Sequence, residues 1–206
     1  MTATAPARLV LASGSAARLR VLRDAGFDPE IVVSGVNENV EDLETAGAVV
    51  VLAERKATAV ARHRRSGLVL GCDSLLDLDG AALGKPVSAA EVIDMWRLLS
   101  GHHAQLLTGH CLIDAGSGQQ VSRVASTLVR FGSPSEAEIS AYAASGEPLA
   151  MAGAFSIEGL GAPFVDSIEG DPSNVLGLSL PLLRRMLAAL GVTITDLWRK
   201  TPDRSM

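Results

Sequence analysis

Near its start the chain sets a short apolar run, Leu9-Val10-Leu11-Ala12, against Ser13-Gly14-Ser15 and then a segment with helical periodicity. An apolar run of this length, broken by small residues, suits a buried strand. Leu19 and Leu22 share one face of a helix expected from Ala16 to Ala25, with Gly26 as its stop. A second β-branched run, Ile31-Val32-Val33, follows. This alternation of strand, turn, helix and strand marks an α/β fold.

The rest of the chain continues the pattern. Residues 47–65 read as a helix, with Val49, Leu52 and Val60 near one stripe and Arg62, Arg64 and Arg65 at its C-terminal end. Cations there complement the helix dipole, which gives the arginines a structural role rather than a phosphate site. Leu68-Val69-Leu70 reads as a strand ending at Gly71-Cys72-Asp73, and Asp79-Gly80 as a hairpin turn between Leu75–Leu78 and Ala81–Leu83. The hairpin makes the sheet mixed. Ser88 and Glu91 have capping-box spacing for a helix reaching Leu99. Strands around Leu106–Ile113 and Val121–Phe131 follow, joined through Ala115-Gly116-Ser117-Gly118. Ser133-Pro134-Ser135-Glu136 reads as a second capping box, with Pro at the first helical position of a helix running to about Ala144. Gly153 to Gly177 holds short strands and loops, and Pro181 to Leu190 is the last helix. With no repeat or obvious linker, the 206 residues read as a single domain, 1–206.

Charge narrows the partner. The chain carries 18 Lys+Arg against 23 Asp+Glu, a net charge of −5, so it lacks the overall basic character of a general nucleic-acid binder. A small anionic ligand remains compatible if a few cations are gathered in one place. Cys72 and Cys111 are too few for a disulfide framework and read as buried small hydrophobes in a reduced, cytoplasmic protein. None of the histidines pairs with a cysteine at zinc-site spacing, and adjacent His102 and His103 would point to opposite faces of a strand. The N-terminal segment lacks the pattern of a signal peptide, and no apolar stretch reaches the roughly 18 residues of a membrane span.

Three segments carry chemistry. Ser13-Gly14-Ser15-Ala16-Ala17-Arg18 joins a strand to a helix, where free N–H groups favour an anion. Ser15 as a plain N-cap is the blander account. Arg18 sits in the first turn, against the dipole, and so hints at an anionic partner. Gly80 to Pro86 is too short for a nucleotide P-loop and lacks its Ser/Thr, yet leaves Lys85 between Gly84 and Pro86 as a point charge for phosphate. Asp73 follows an apolar strand, where metal binding or general-base work stands about even with a turn role.

In order along the chain, these segments resemble the Maf family, the Maf-like nucleoside triphosphate pyrophosphatases. The pieces are Leu11-Ala12-Ser13-Gly14-Ser15 with Arg18; Val36-Asn37-Glu38; Lys56-Ala57; Gly71-Cys72-Asp73-Ser74; Gly84-Lys85-Pro86; Gly146-Glu147-Pro148; Ala154-Phe155-Ser156-Ile157-Glu158-Gly159; and Gly170-Asp171-Pro172-Ser173-Asn174. The resemblance implies a Maf/ITPase-like fold: a mixed twisted sheet with flanking helices, in two lobes around a central cleft. It implies hydrolysis of a nucleoside triphosphate, canonical or modified, to the monophosphate and pyrophosphate. It places the proton acceptor on Asp73, with Glu38 and Lys85 beside it. Ser13, Ser15, Arg18, Lys56 and Glu158 fall on the substrate, and Mg²⁺ or Mn²⁺ is held by Asp73 and Glu38. The expected partner is the nucleotide, with no long nucleic acid and no membrane, and the resemblance allows a homodimer. The alternative is a catalytically weak nucleotide-binding regulator of septum formation. The chain departs from the family pattern at Ala16, Ala17, Asn37 and Ala104, so the catalytic inference is stronger than any about the base. At the base, the Glu158 carboxylate would accept hydrogen bonds from the donor edge of guanine or the amino group of cytosine.

Overall fold

The computed structural model describes residues 8–40 and 43–199. Strand β1 (Leu9–Leu11) leads into helix α1 (Ala16–Asp24) and the short β2 (Glu30–Ile31). Helix α2 (Thr45–Ala61) then precedes β3 (Leu68–Leu78), β4 (Ala81–Leu83) and helix α3 (Ala89–Leu99). The long β5 (His103–Asp114) and β6 (Gln120–Phe131) lead to α4 (Glu136–Ala144). Tight 3-10 turns at Glu147–Ala150, Ala152–Ala154 and Gly159–Phe164 lead to β7 (Val165–Glu169), the single turn α5 (Pro172–Val175) and α6 (Leu180–Ala189). The sheet is mixed and seven-stranded, in the order β2-β1-β3-β5-β6-β7 with β4 on β3. β1 pairs in parallel with β2 and β3, and the other pairings are antiparallel.

A smaller apolar cluster of Val10, Ala53, Ala57, Val69 and Cys111 lies under α2, and two larger cores sit towards the two ends of the sheet. One gathers Leu11, Leu22, Phe27, Leu70 and Cys72 with Leu183 and Met186 of α6. The other surrounds Trp96, whose ring meets Phe131, Tyr142 and Phe164 edge-on at 5.6–5.9 Å. β3 passes from one core to the other, giving Leu70 and Cys72 to the first and Leu76 to the second. These are the two lobes, and Asp73 lies between them.

Four local expectations need correction. β3 does not end near Asp73 but continues to Leu78, because β5 pairs with it residue for residue from Leu68↔Asp114 to Asp77↔Gln105. The cap of α4 is Ser135 with Glu138, not Ser133 with Glu136; Pro134 stands before the cap. α2 ends at Ala61, with Arg62 as its C-cap, so Arg64 and Arg65 lie beyond the helix dipole. Arg64 instead pairs with Glu30 at the edge strand. The β-branched run at 31–33 is also shorter as a strand than its composition suggests: its pairing with β1 goes no further than the Val32 N–H, which donates to the Leu11 carbonyl at 3.1 Å.

Two glycines let α2 lie directly on the sheet. A Cβ at Gly71 would fall 2.3 Å from the Ala53 carbonyl oxygen, and one at Gly109 would fall 2.0 Å from that of Val49. Only residues without side chains allow backbone to meet backbone at this range.

His110 ties the sheet to the last helix. Its Nδ1–H donates to the Thr108 carbonyl at 3.0 Å, and its Nε2 accepts from the N–H of Ser179, the N-cap of α6, at 2.9 Å. An imidazolium cannot accept that bond. Burial, helped by the nearby Arg18 charge, holds the His110 pKa down at about 4, below its ordinary 6.5. The unfolded chain takes up this proton first as pH falls, so the stability is complete above about pH 6.5 and is lost towards pH 4. Between pH 7 and 4.5 we expect His110→Gln to lose about 2–3 kcal/mol less stability than the parent chain. Urea unfolding at the two pH values measures this, and equal losses would refute it.

Candidate active site

Along β3 the sheet is incomplete on one side. β1 covers Leu68–Leu70 and β4 covers Leu76–Leu78, so the five residues from Gly71 to Leu75 pair only with β5. The cleft opens at that gap, with a cavity of about 620 Å³. Side chains alternate across a strand, so Asp73 faces α2 while Cys72 and Ser74 face α1 and α6. An unpaired edge lets groups from both faces reach one space.

On the α2 face, Lys56 Nζ pairs with Asp73 Oδ1 and lies 2.7 Å from Glu38 Oε1. The Lys56 and Asp73 side chains are 8% and 11% exposed while Glu38 is 62% exposed. Lys56 and Asp73 are therefore the desolvated pair, with Glu38 covering them from the solvent side. Arg55, one residue earlier, donates to the backbone carbonyls of Asn37 and Asn39 and so holds the loop that carries Glu38.

On the other face, Arg18 is fixed at every nitrogen of its guanidinium. Its Nε donates to the Gly177 carbonyl at 2.8 Å, one Nη to Ser13 Oγ at 3.2 Å and the other to Ser74 Oγ at 3.0 Å. Behind Ser74, its hydroxyl meets Thr108 Oγ1 at 2.9 Å. Such a guanidinium is pre-oriented and loses little freedom when it meets a phosphate. Charge-assisted bonds contribute about 1.5–3 kcal/mol, so Arg18→Ala should lower kcat/KM about 10–100-fold. Steady-state kinetics would check this, and an unchanged kcat/KM would remove Arg18 from the substrate's path.

Ser15 lines the same cavity and is also the N-cap of α1, accepting from the Arg18 N–H at 3.4 Å. Ser13 accepts from the Ser15 N–H at 3.2 Å. Lys85 lines the cavity, exposed, in the loop after β4 and without an ion pair among the described residues. Glu158 lies at the start of a 3-10 turn, and its carboxylate pairs with Arg20 of α1. One oxygen of the base-reading acceptor expected there is thus already engaged.

Cys72, beside Asp73, is buried, and its thiol is pushed up to about 12. It is inert as a nucleophile at neutral pH. Cys111 is likewise buried and raised to about 11.

Sequence reasoning missed four contributors. Ser74 lay within a quoted motif, but its role depends on facing opposite to Asp73. Arg20 shares a helical face with Ala17, three residues earlier. The Arg55 guanidinium bonds to backbone carbonyls and Gly177 offers its own carbonyl to Arg18, contacts that side-chain patterns do not reveal.

A divalent cation fits the donor set. Two carboxylates from separate segments converge on one positive charge, the Lys56 ammonium, and all their donors are hard oxygens. Among the described residues no cluster of three or more His, Cys, Asp or Glu forms a complete protein cage. One or two carboxylates, with the remaining positions left to water and phosphate, is the usual arrangement for Mg²⁺. Among the described residues no helix is long and apolar enough to cross a membrane.

Comparison with known proteins identifies the family. The family described as Maf-like protein matches residues 8–190. A Streptomyces coelicolor protein named nucleoside triphosphate pyrophosphatase is 54% identical, covering 98% of this chain and 100% of its own length. Proteins of the same name from Streptomyces avermitilis and Salinispora tropica are 53% and 48% identical, covering 93% and 97% of this chain and 94% and 91% of their own lengths. With that match and these identities across nearly its whole length, the chain belongs to the Maf-like family.

Proposed function

We propose that this chain is a nucleoside triphosphate pyrophosphatase, releasing pyrophosphate and a nucleoside monophosphate. The observation that carries the reading is the convergence, at the unpaired edge of β3, of the Lys56–Asp73–Glu38 cluster with the fixed Arg18. A triphosphate brings about four negative charges, and Arg18, Lys56 and Lys85 oppose them from three segments. The triphosphate competes with Asp73 for the Lys56 ammonium, which leaves the carboxylate able to accept a proton. Asp73 takes that proton from a water whose oxygen attacks the α-phosphorus. The α-phosphorus then releases the bridging oxygen, and pyrophosphate departs with its charge already paired. Ser13 and the start of α1 add hydrogen bonds to phosphate oxygens. Mg²⁺ or Mn²⁺, held by Asp73 and Glu38, would supply further charge neutralisation and a more acidic bound water. The two buried thiols suit a reducing, cytoplasmic setting.

The test is a panel of canonical and methylated nucleoside triphosphates with Mg²⁺ or Mn²⁺, scored for monophosphate and pyrophosphate. Pyrophosphate supports the reading, while orthophosphate as the only phosphate product would make the chain a phosphatase. Folded protein without any product would favour the nucleotide-binding regulator.

A further inference from the structure

We propose that Arg20 is a specificity-determining residue that sets the base preference of the cleft through its ion pair with Glu158; this rests on the pyrophosphatase reading. The two residues stand 138 positions apart and come from opposite walls, α1 on one side and the segment after Ala154 on the other. Both line the cavity that holds Asp73 and Arg18, and the apolar Met151 and Phe155 line the same cavity. Apolar walls with a few polar groups are what a nucleobase needs. Ala17, one turn before Arg20 on the same helix face, also lines the cavity and leaves only a methyl beside the guanidinium.

The pair is built to be shared. Arg20 and Glu158 are 53% and 46% exposed, and exposed pairs contribute little to stability, so a ligand can compete for either partner. The contact runs through one Arg20 nitrogen and Glu158 Oε2. Among the described residues the other carboxylate oxygen and the remaining guanidinium N–H groups have no partner. Glu158 itself is steadied by its own N–H, which donates to Ser156 Oγ at 3.0 Å. This end of the cleft therefore offers an acceptor and donors side by side, with its negative charge neutralised.

A bare carboxylate would welcome amino groups and repel carbonyls. A carboxylate joined to a guanidinium tolerates carbonyls, because the guanidinium donates to them. UTP and CTP separate the two cases with little change in size: uracil carries a carbonyl where cytosine carries an amino group. Good side-chain contacts to base edges discriminate by about tenfold or more.

The experiment measures kcat/KM for UTP and CTP, by pyrophosphate release, in the parent chain, Arg20→Ala, Arg20→Lys, Glu158→Gln and the double variant Arg20→Ala/Glu158→Gln. The proposal expects Arg20→Ala to lower the UTP:CTP ratio about tenfold, with Arg20→Lys between it and the parent. In the Glu158→Gln background, where no bare carboxylate is exposed, Arg20→Ala should shift the ratio much less. An unchanged ratio in Arg20→Ala, an equal fall for both nucleotides, or the same shift in both backgrounds would overturn it. Arg20 would then be a surface ion pair or a general phosphate contact. If the parent chain hydrolyses neither nucleotide nor any other on the wider panel, the pyrophosphatase reading fails first, and this proposal falls with it.

Discussion

Asp73→Asn should reduce turnover about 10²–10⁴-fold, the usual loss on removing a positioned base. The amide keeps the size of the carboxylate and its oxygen still accepts from Lys56, so the strand and its neighbours have little reason to move. What disappears is the capacity to take a proton from water. Lys56 retains Glu38 at 2.7 Å, which limits the cost of leaving an ammonium buried without its main counter-charge. Pyrophosphate release at saturating nucleotide gives the turnover, and thermal unfolding of the same preparation shows whether the fold is intact. Full turnover from the folded variant would move the base away from Asp73.

Gly109→Ala is expected to have the largest effect on the fold. The new Cβ would lie 2.0 Å from the Val49 carbonyl oxygen and 2.3 Å from its carbon. Those atoms belong to helix backbone and cannot swing aside as a side chain would. α2 must lift from β5, and overpacking against backbone of this kind costs about 3 kcal/mol or more. For a chain of this size that corresponds to a fall in Tm of about 6–12 °C. Activity should fall as well, because the same helix carries Lys56 to Asp73. Gly47→Ala on α2 is the control: no atom comes within 4 Å of the added methyl, and a gain of about 0.5 kcal/mol is expected. Calorimetry compares the two. A Gly109→Ala protein as stable as the parent would mean that α2 does not rest on the sheet at this point.

The elements that could be read from the sequence are those whose ends carry their own chemistry. Ser15 and Ser88 cap α1 and α3, and Asp79-Gly80 turns the hairpin with both residues at positive φ. Local patterns failed where a distant partner decides. Gly71-Cys72-Asp73 breaks the apolar run and looks like a strand end, yet pairing with β5 carries the strand through it. At the site, Lys56 gave an overlooked signal. It lies on the stripe shared by Val49, Leu52 and Val60, and a lysine within an apolar stripe needs a buried partner. Asp73 is that partner, but only the fold reveals which of 23 acidic residues meets it. Arg20 and Glu158 gave no signal of their pairing, because neither position is apolar and their sequence separation hides the contact.

The sheet also determines how the molecule can yield. β3 and β5, 11 and 12 residues long, run unbroken from one core to the other and are laddered together along almost their whole length. Asp73 is thus seated mid-span on a stiff double beam, not at a hinge between two swinging blocks. Bending that beam would break ladder bonds in both halves at once. Compliance is left to the pieces hung from it: the loop bearing Glu38, the turn bearing Lys85 and the rim where Arg20 meets Glu158. Asp73, the proton acceptor proposed above, keeps its place while the walls around it adjust, so differences in which nucleotide is accepted can arise at the rim without disturbing it.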